Sequence, residues 1–179
     1  MSTTPTTRLA DLAAQSVLMM GAAPRSEFFE VYHARAVNRE ARTEPPECRQ
    51  PGPEGFFATA LWLRGAFSEL TFKIERVVTD GDLAVTYGTM SGRQTGTMIT
   101  YAADGTVERA FAPTGRRFTT RQAHFLRLRE GLIGEHWAVR DDLAQAQQLR
   151  WIPPTPAYLI RCARATAKAR RDQSSKAAR

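Results

Sequence analysis

Residues 118–139 read Phe118-Thr-Thr-Arg-Gln122-Ala-His124-Phe-Leu-Arg-Leu-Arg-Glu-Gly131-Leu-Ile-Gly-Glu-His136-Trp137-Ala138-Val139. Two runs of alternating character flank Glu130-Gly131, the pattern of an antiparallel hairpin with one wet and one dry face. Arg121, Arg127 and Arg129 mark the wet face, so Phe118, Thr120, Gln122, His124, Leu126 and Leu128 look inward. With Gly131 in the left-handed position of a three-residue loop, Leu128 pairs with Leu132 and His124 faces His136 directly. A two-residue loop would shift that register and separate them. Opposed side chains on one sheet face stand about 5 Å apart, so two imidazoles would meet on the interior side. His136 inward puts Trp137 outward.

Working outward from this hairpin, Leu83 to Thr95 and Phe72 to Val78 read as further strands joined at Thr79-Asp80-Gly81-Asp82. Met98 to Tyr101 and Thr106 to Phe111 make a local hairpin around Asp104-Gly105. Before the strands, apolar residues at helical spacing predict helices over Leu9 to Met20, Ser26 to Tyr32 with Ser26 as cap, and Glu54 to Phe67. The proline-rich stretch Arg39 to Pro53 reads as a long loop, and Asp142 caps a last short helix through Leu149. Helices first and an antiparallel meander second is an α+β arrangement, with helices packed on one face of a curved sheet.

The 179 residues suit one domain, and with 42% hydrophobic and 24% charged residues the chain is neither a disordered nor a disulfide-scaffold type. The net charge of +7 is local. Arg161, Arg164, Lys168, Arg170, Arg171, Lys176 and Arg179 against Asp172 alone leave the tail six positive and the remaining 158 residues one positive. A near-neutral body argues against a nucleic-acid surface. The tail reads as a solvated, partly helical or disordered extension, with an oligomer contact or an acidic partner as alternatives. No apolar run reaches the ~18 residues of a membrane span. Cys48 and Cys162 lack metal-ligand spacing and read as free thiols, so a cytoplasmic protein is expected.

His124 and His136 admit three readings: core histidines satisfied by their neighbours, two ligands of a metal for which no third ligand is evident, or a polar cluster at the bottom of an apolar pocket. No nucleophile elbow, phosphate loop or dinucleotide fingerprint points to another chemistry.

Several stretches together carry a resemblance: His33-Ala-Arg-Ala-Val-Asn38-Arg-Glu, Gly52-Pro-Glu-Gly-Phe, Pro113-Thr-Gly-Arg-Arg-Phe118, Gln122-Ala-His124-Phe-Leu-Arg127, Gly131-Leu-Ile-Gly-Glu-His136-Trp137 and Asp141. In that order the chain resembles the SnoaL-like polyketide cyclases of the nuclear-transport-factor-2-like superfamily over about residues 8 to 150. The resemblance implies a cone-shaped, strongly bent antiparallel sheet around an apolar pocket closed by helices, usually as a homodimer. The barrel is then expected over 8–152, with a hairpin at 97–112 inserted where the family passes directly between strands; composition adds a flexible N-terminus over 1–7 and a basic tail over 153–179.

The same resemblance implies an enzyme of secondary metabolism, without cofactor or metal, that closes a ring of a polyketide ester by intramolecular aldol condensation, or an isomerase on such a substrate. The family's acid/base aspartate corresponds to Ala138 here, so His124, His136 and Asp141 become the catalytic candidates. Asn38, Gln122, Trp62 and Phe111 are expected to bind a hydrophobic small molecule. The absence of that aspartate also leaves open a cofactor-free hydroxylase, an epoxide-opening hydrolase, or a non-catalytic protein that binds a hydrophobic ligand.

Overall fold

The computed structural model describes residues 5–177. In chain order these form α1 (Pro5–Leu18), α2 (Arg25–Val31), β1 (Tyr32–Asn38), short 3-10 turns at Ala41–Thr43 and Pro46–Arg49, and α3 (Pro53–Ala66). There follow β2 (Phe67–Asp80), β3 (Leu83–Gln94), β4 (Met98–Tyr101), β5 (Val107–Phe111), β6 (Arg117–Arg129), β7 (Leu132–Arg140), α4 (Asp142–Gln148) and α5 (Pro156–Ala177). The five-stranded sheet runs β1-β7-β6-β3-β2, and β4 and β5 pair separately. This is the expected α+β class with a curved sheet.

The inner face of the sheet follows the alternation. Phe118, Thr120, Gln122 and Leu126 are buried while Arg121, Arg127 and Arg129 are exposed. Helices α1, α2 and α3 cover this face, with Phe28, Val31, Phe56 and Ala60 fully buried among Leu9, Ala84, Leu126 and Ile133. Arg64 of α3 joins the helices: its guanidinium donates to the carbonyls of Met19, Met20 and Ala23 at 2.7, 2.9 and 3.0 Å. Those carbonyls follow the end of α1, and of the three Met19 O also accepts the Ala23 amide at 3.0 Å.

The hairpin register departs from the expected one. Glu130 and Gly131 have φ of 52° and 81° and form a two-residue loop that pairs Arg129 with Leu132. A bulge then adds Gly134 to β7 between the Arg127 and Leu128 pairings. A Cβ at Gly134 would stand 2.6 Å from that of Arg129, so the bulge needs glycine. Each irregularity slips the ladder by one residue. His124 therefore pairs with Ala138 and Leu126 with His136, and the two slips together keep every side chain on its predicted face.

Other expectations need correcting. Residues 1–4 of the expected flexible terminus lie outside the described residues, while 5–7 open α1. Pro24, not Ser26, precedes α2, and no side chain caps it. Three helices do not precede the first strand, because β1 follows α2 without a turn and runs parallel to β7, at the sheet edge. The proline-rich stretch is no simple surface loop: it buries Ala41, Glu44 and Cys48. Asp141, not Asp142, caps α4, accepting from Ala144 N at 2.9 Å.

The tail is helical and packed. Gln173 Oε1 and Thr166 Oγ1 accept from Val107 N and Ala110 N, both at 2.9 Å, and Arg170 donates to the carbonyls of Val107 and Glu108. Side chains of α5 thus hydrogen-bond the outer edge of β5 as a strand would.

Candidate active site

The inward residues of β6 and β7, the end of β1 and one face of α3 enclose a cavity of about 210 Å³. Asn38, Gln122, Trp62, Phe111, His124 and His136 all line it. Asp141 does not: it is exposed and engaged as the α4 cap, one residue past β7 and on the outward parity of Trp137 and Val139. His33 is also elsewhere, 3.3 Å from Glu130 with its Nδ1 accepting from Arg35 N. Among the described residues no three His, Cys, Asp or Glu side chains gather as a metal site.

The polar groups form one chain. Asn38 Oδ1 lies 3.0 Å from His136 Nδ1, His136 Nε2 lies 3.0 Å from His124 Nδ1, and His124 Nε2 lies 3.0 Å from Gln122 Oε1. The direction of its protons follows from one end. Asn38 Oδ1 already accepts the Glu40 amide at 3.1 Å, so it is the oxygen, and His136 Nδ1 must donate to it. A neutral His136 then offers a lone pair at Nε2, which His124 Nδ1–H fills. A neutral His124 is left with a lone pair at Nε2, the cavity end of the chain.

Gln122 is matched to that atom in two ways. Its Oε1, as it stands, accepts from a protonated His124; turned over, its amide donates to the neutral ring and gives up a weak 3.2 Å contact to Met90 Sδ. Either proton state of His124 therefore has a partner.

Burial resists charge on both rings. It lowers the His124 pKa to about 4, with the Arg140 cation adding to the effect. His136 is pushed well below the ordinary histidine value by burial, then by His124 and Arg140. Phe56 meets the His136 ring edge-on at 6.1 Å, itself stacked on Tyr32 at 3.8 Å, so apolar packing fixes the ring's plane. Trp137 points outward as expected and stacks on Phe125 at 5.4 Å.

The rest of the lining is mostly apolar. Phe111 stacks on Trp151 at 4.4 Å, and Trp62 Nε1 donates to Ile99 O at 2.9 Å, holding the β4–β5 hairpin against α3. Met98, Thr100 and Phe111 make that inserted hairpin a wall of the cavity rather than a surface appendage.

Among the polar lining residues that escaped the sequence reading are Glu40, Glu44, Thr59 and Arg140. Arg140 continues the inward alternation of His136 and Ala138, and Thr59 falls three residues after Phe56 on the buried stripe of α3, so both were within reach of periodicity. Glu40 Oε1 accepts from Ala138 N at 3.1 Å and its Oε2 lies 3.6 Å from Arg140. Neither carboxylate carries a signal in the sequence, because a segment between elements has no periodicity to betray a buried side.

Comparison with known proteins agrees with this geometry. The family model for the SnoaL-like polyketide cyclases matches residues 21–149. Aklanonic acid methyl ester cyclase DnrD of Streptomyces peucetius is 31% identical over 147 residues, 82% of this chain and 93% of its own. The corresponding enzyme DauD of Streptomyces sp. strain C5 is 33% identical over 122 residues, 67% of this chain and 68% of its own. TsrD from Streptomyces laurentii shares the fold, with a TM-score of 0.62 at 21% identity over 83% of this chain and 97% of that one. A cavity with an imidazole chain at its floor, a family match over most of the sheet and two cyclases as relatives place the chain in the SnoaL-like polyketide cyclase family, enzymes of secondary metabolism.

Proposed function

We propose that the protein closes a ring of a polyketide-derived ester by intramolecular aldol chemistry, with His124 as the base. The carrying observation is the one-way hydrogen-bond chain from Asn38 through His136, which makes Nε2 the basic nitrogen of His124, with the reversible Gln122 amide as its partner. That nitrogen takes the acidic α-hydrogen of the substrate, and the resulting enolate carbon attacks a second carbonyl of the same molecule. Asn38 and His136 hold the ring in one tautomer throughout, while Gln122 gives up Nε2 to the substrate and then turns its oxygen to accept from the protonated ring.

A pKa near 4 makes His124 almost wholly neutral at working pH, which favours availability over strength. The charge that burial opposes is created beside its counter-ion, since imidazolium and enolate form in one step and in contact. Acid/base groups on the chain suffice for each step, so the reaction as proposed calls on no cofactor.

The cavity is smaller than the roughly 300–1,000 Å³ of drug-sized ligand sites. A polycyclic ester is therefore admitted by outward movement of the β4–β5 wall. The methyl ester named for the two relatives is the first substrate to try. Replacing both His124 and His136 with Ala is expected to lower its turnover by about 10²- to 10⁴-fold, with the circular dichroism spectrum unchanged. Turnover retained by that folded double variant would refute the assignment.

A further inference from the structure

The family resemblance implies a carboxyl acid/base at position 138, where this chain has alanine, yet the cavity does hold a buried carboxyl on another element. Glu44, between the two 3-10 turns, is 3% exposed and lines the cavity. Its Oε2 accepts from Thr59 Oγ1 at 2.5 Å, and no Arg, Lys or His of the described residues forms an ion pair with it. Thr59 Oγ1 in turn lies 3.5 Å from Asn38 Nδ2, so Glu44 stands at the far end of the same polar chain that ends in His124. A buried carboxyl without a cation is cheaper to keep protonated than charged.

Resting on the cyclase reading above, we propose that Glu44 is the second catalytic group of this cavity, a protonated carboxyl that donates to the oxygen of the carbonyl under attack. The step balances without a co-reactant. His124 takes a proton from carbon, the enolate electron pair makes the new C–C bond, and the carbonyl π pair moves to oxygen, where it takes the Glu44 proton. The product is an isomer of the substrate, leaving imidazolium and carboxylate, which are neutralised by passing one proton back between them through water after release. Thr59 then donates to the new carboxylate, which is the state its hydroxyl is placed to hold.

Burial, rather than the groups facing it, keeps the Glu44 carboxyl neutral at rest. Cys48, from the second 3-10 turn, is itself held up to about 12, mainly by burial, and its neutral thiol hydrogen-bonds Glu44, slightly favouring the carboxylate. Against burial, the Thr59 hydroxyl of α3 favours a charged carboxylate most, then Arg140 of β7 from a distance, while Glu40 opposes a second negative charge. Burial outweighs the rest and raises the Glu44 pKa above the ordinary carboxylate value.

The test compares wild type with E44Q, using aklanonic acid methyl ester. The expected result is a fall in kcat of about 10²-fold with KM within twofold, and loss of the alkaline limb of the kcat profile, because the amide cannot release a proton. A merely structural Glu44 would leave that limb in place, and wild-type kcat with an unchanged limb overturns the proposal. Carbon-13 titration of glutamate-labelled wild type, with E44Q identifying the resonance, decides the matter independently of turnover and of how well E44Q folds. A carboxyl that titrates above the ordinary range and shifts on addition of the ester supports it, and one that titrates in the ordinary range overturns it. If wild type binds the ester without turning it over, the cyclase reading for that substrate fails while the titration still judges Glu44.

Discussion

The β6–β7 wall of the cavity takes its polar groups from regular inward positions and ties them to one another, His136 to His124 to Gln122. The β4–β5 wall is held from behind: Thr166, Gln173, Arg170 and Tyr158 of α5 hydrogen-bond its backbone, and its cavity face offers Met98 and Phe111. In the first wall the sheet itself supplies precision, as a site of acid/base chemistry requires. In the second, a separable helix supplies the support, so shape can change without disturbing the imidazoles. The proposed polycyclic substrate, larger than the resting cavity, would exploit that division.

Removing α5 should have the largest effect on this contrast. Truncation before Pro156 strips partners from Val107, Ala110 and Ala112, whose amides are bonded by Gln173, Thr166 and Cys162, and uncovers a strand edge. We expect a loss of about 4 kcal/mol, a fall in Tm of roughly 10 °C, and a KM raised at least tenfold with kcat on the remaining folded protein little changed. Calorimetry and steady-state kinetics check this together. A collapse of kcat at constant KM would mean that the two walls are not independent.

Next in size is the response of stability to acid, which belongs to the imidazole wall. The unfolded chain binds a proton at each histidine below about pH 6.5, whereas folded His124 stays neutral down to about 4 and His136 is also well depressed. The folded state thus binds fewer protons than the unfolded one in this window. Stability is complete above about pH 6.5 and falls as the pH drops toward 4, by up to about 3 kcal/mol for His124 alone. Urea melts of wild type and H124N between pH 7 and 4 measure it; equal slopes for the two proteins would show that His124 is not buried neutral.

The same contrast governs what could be read without coordinates. The inward set of β6 was legible because strand alternation depends only on residue order, and it held although the pairing of His124 with His136 did not. Glu130 in a left-handed conformation and the Gly134 bulge are local backbone choices that the pattern does not announce, and their effects on facing cancelled. β1 was missed because Tyr32–Asn38 follows a helix with no turn residue between them and lies at a sheet edge, where alternation is blurred: Arg35 and Val37 are exposed and Ala36 is buried. The tail was legible as basic and partly helical, but its polar residues were not legible as strand partners. Glu44 lay in a proline-rich segment whose burial is decided by three elements distant in sequence.

The smallest effect tests where the polar chain ends. Thr86 pairs with His124 across β3 and β6, on the same inward face, and its Oγ1 is the one fully buried side-chain polar atom, among the described residues, without a hydrogen-bond partner. It does not line the cavity. Leaving a hydroxyl dry and unpaired costs about 1–3 kcal/mol, and valine has nearly its shape with a strong preference for strands. T86V is therefore expected to gain about 1 kcal/mol, raising Tm by roughly 2–4 °C, with kcat and KM of wild type. The alternative outcome is equally informative: if T86V loses turnover, the hydroxyl belongs to the working network beside His124, and the chain runs one residue deeper into the sheet than its resting hydrogen bonds reveal.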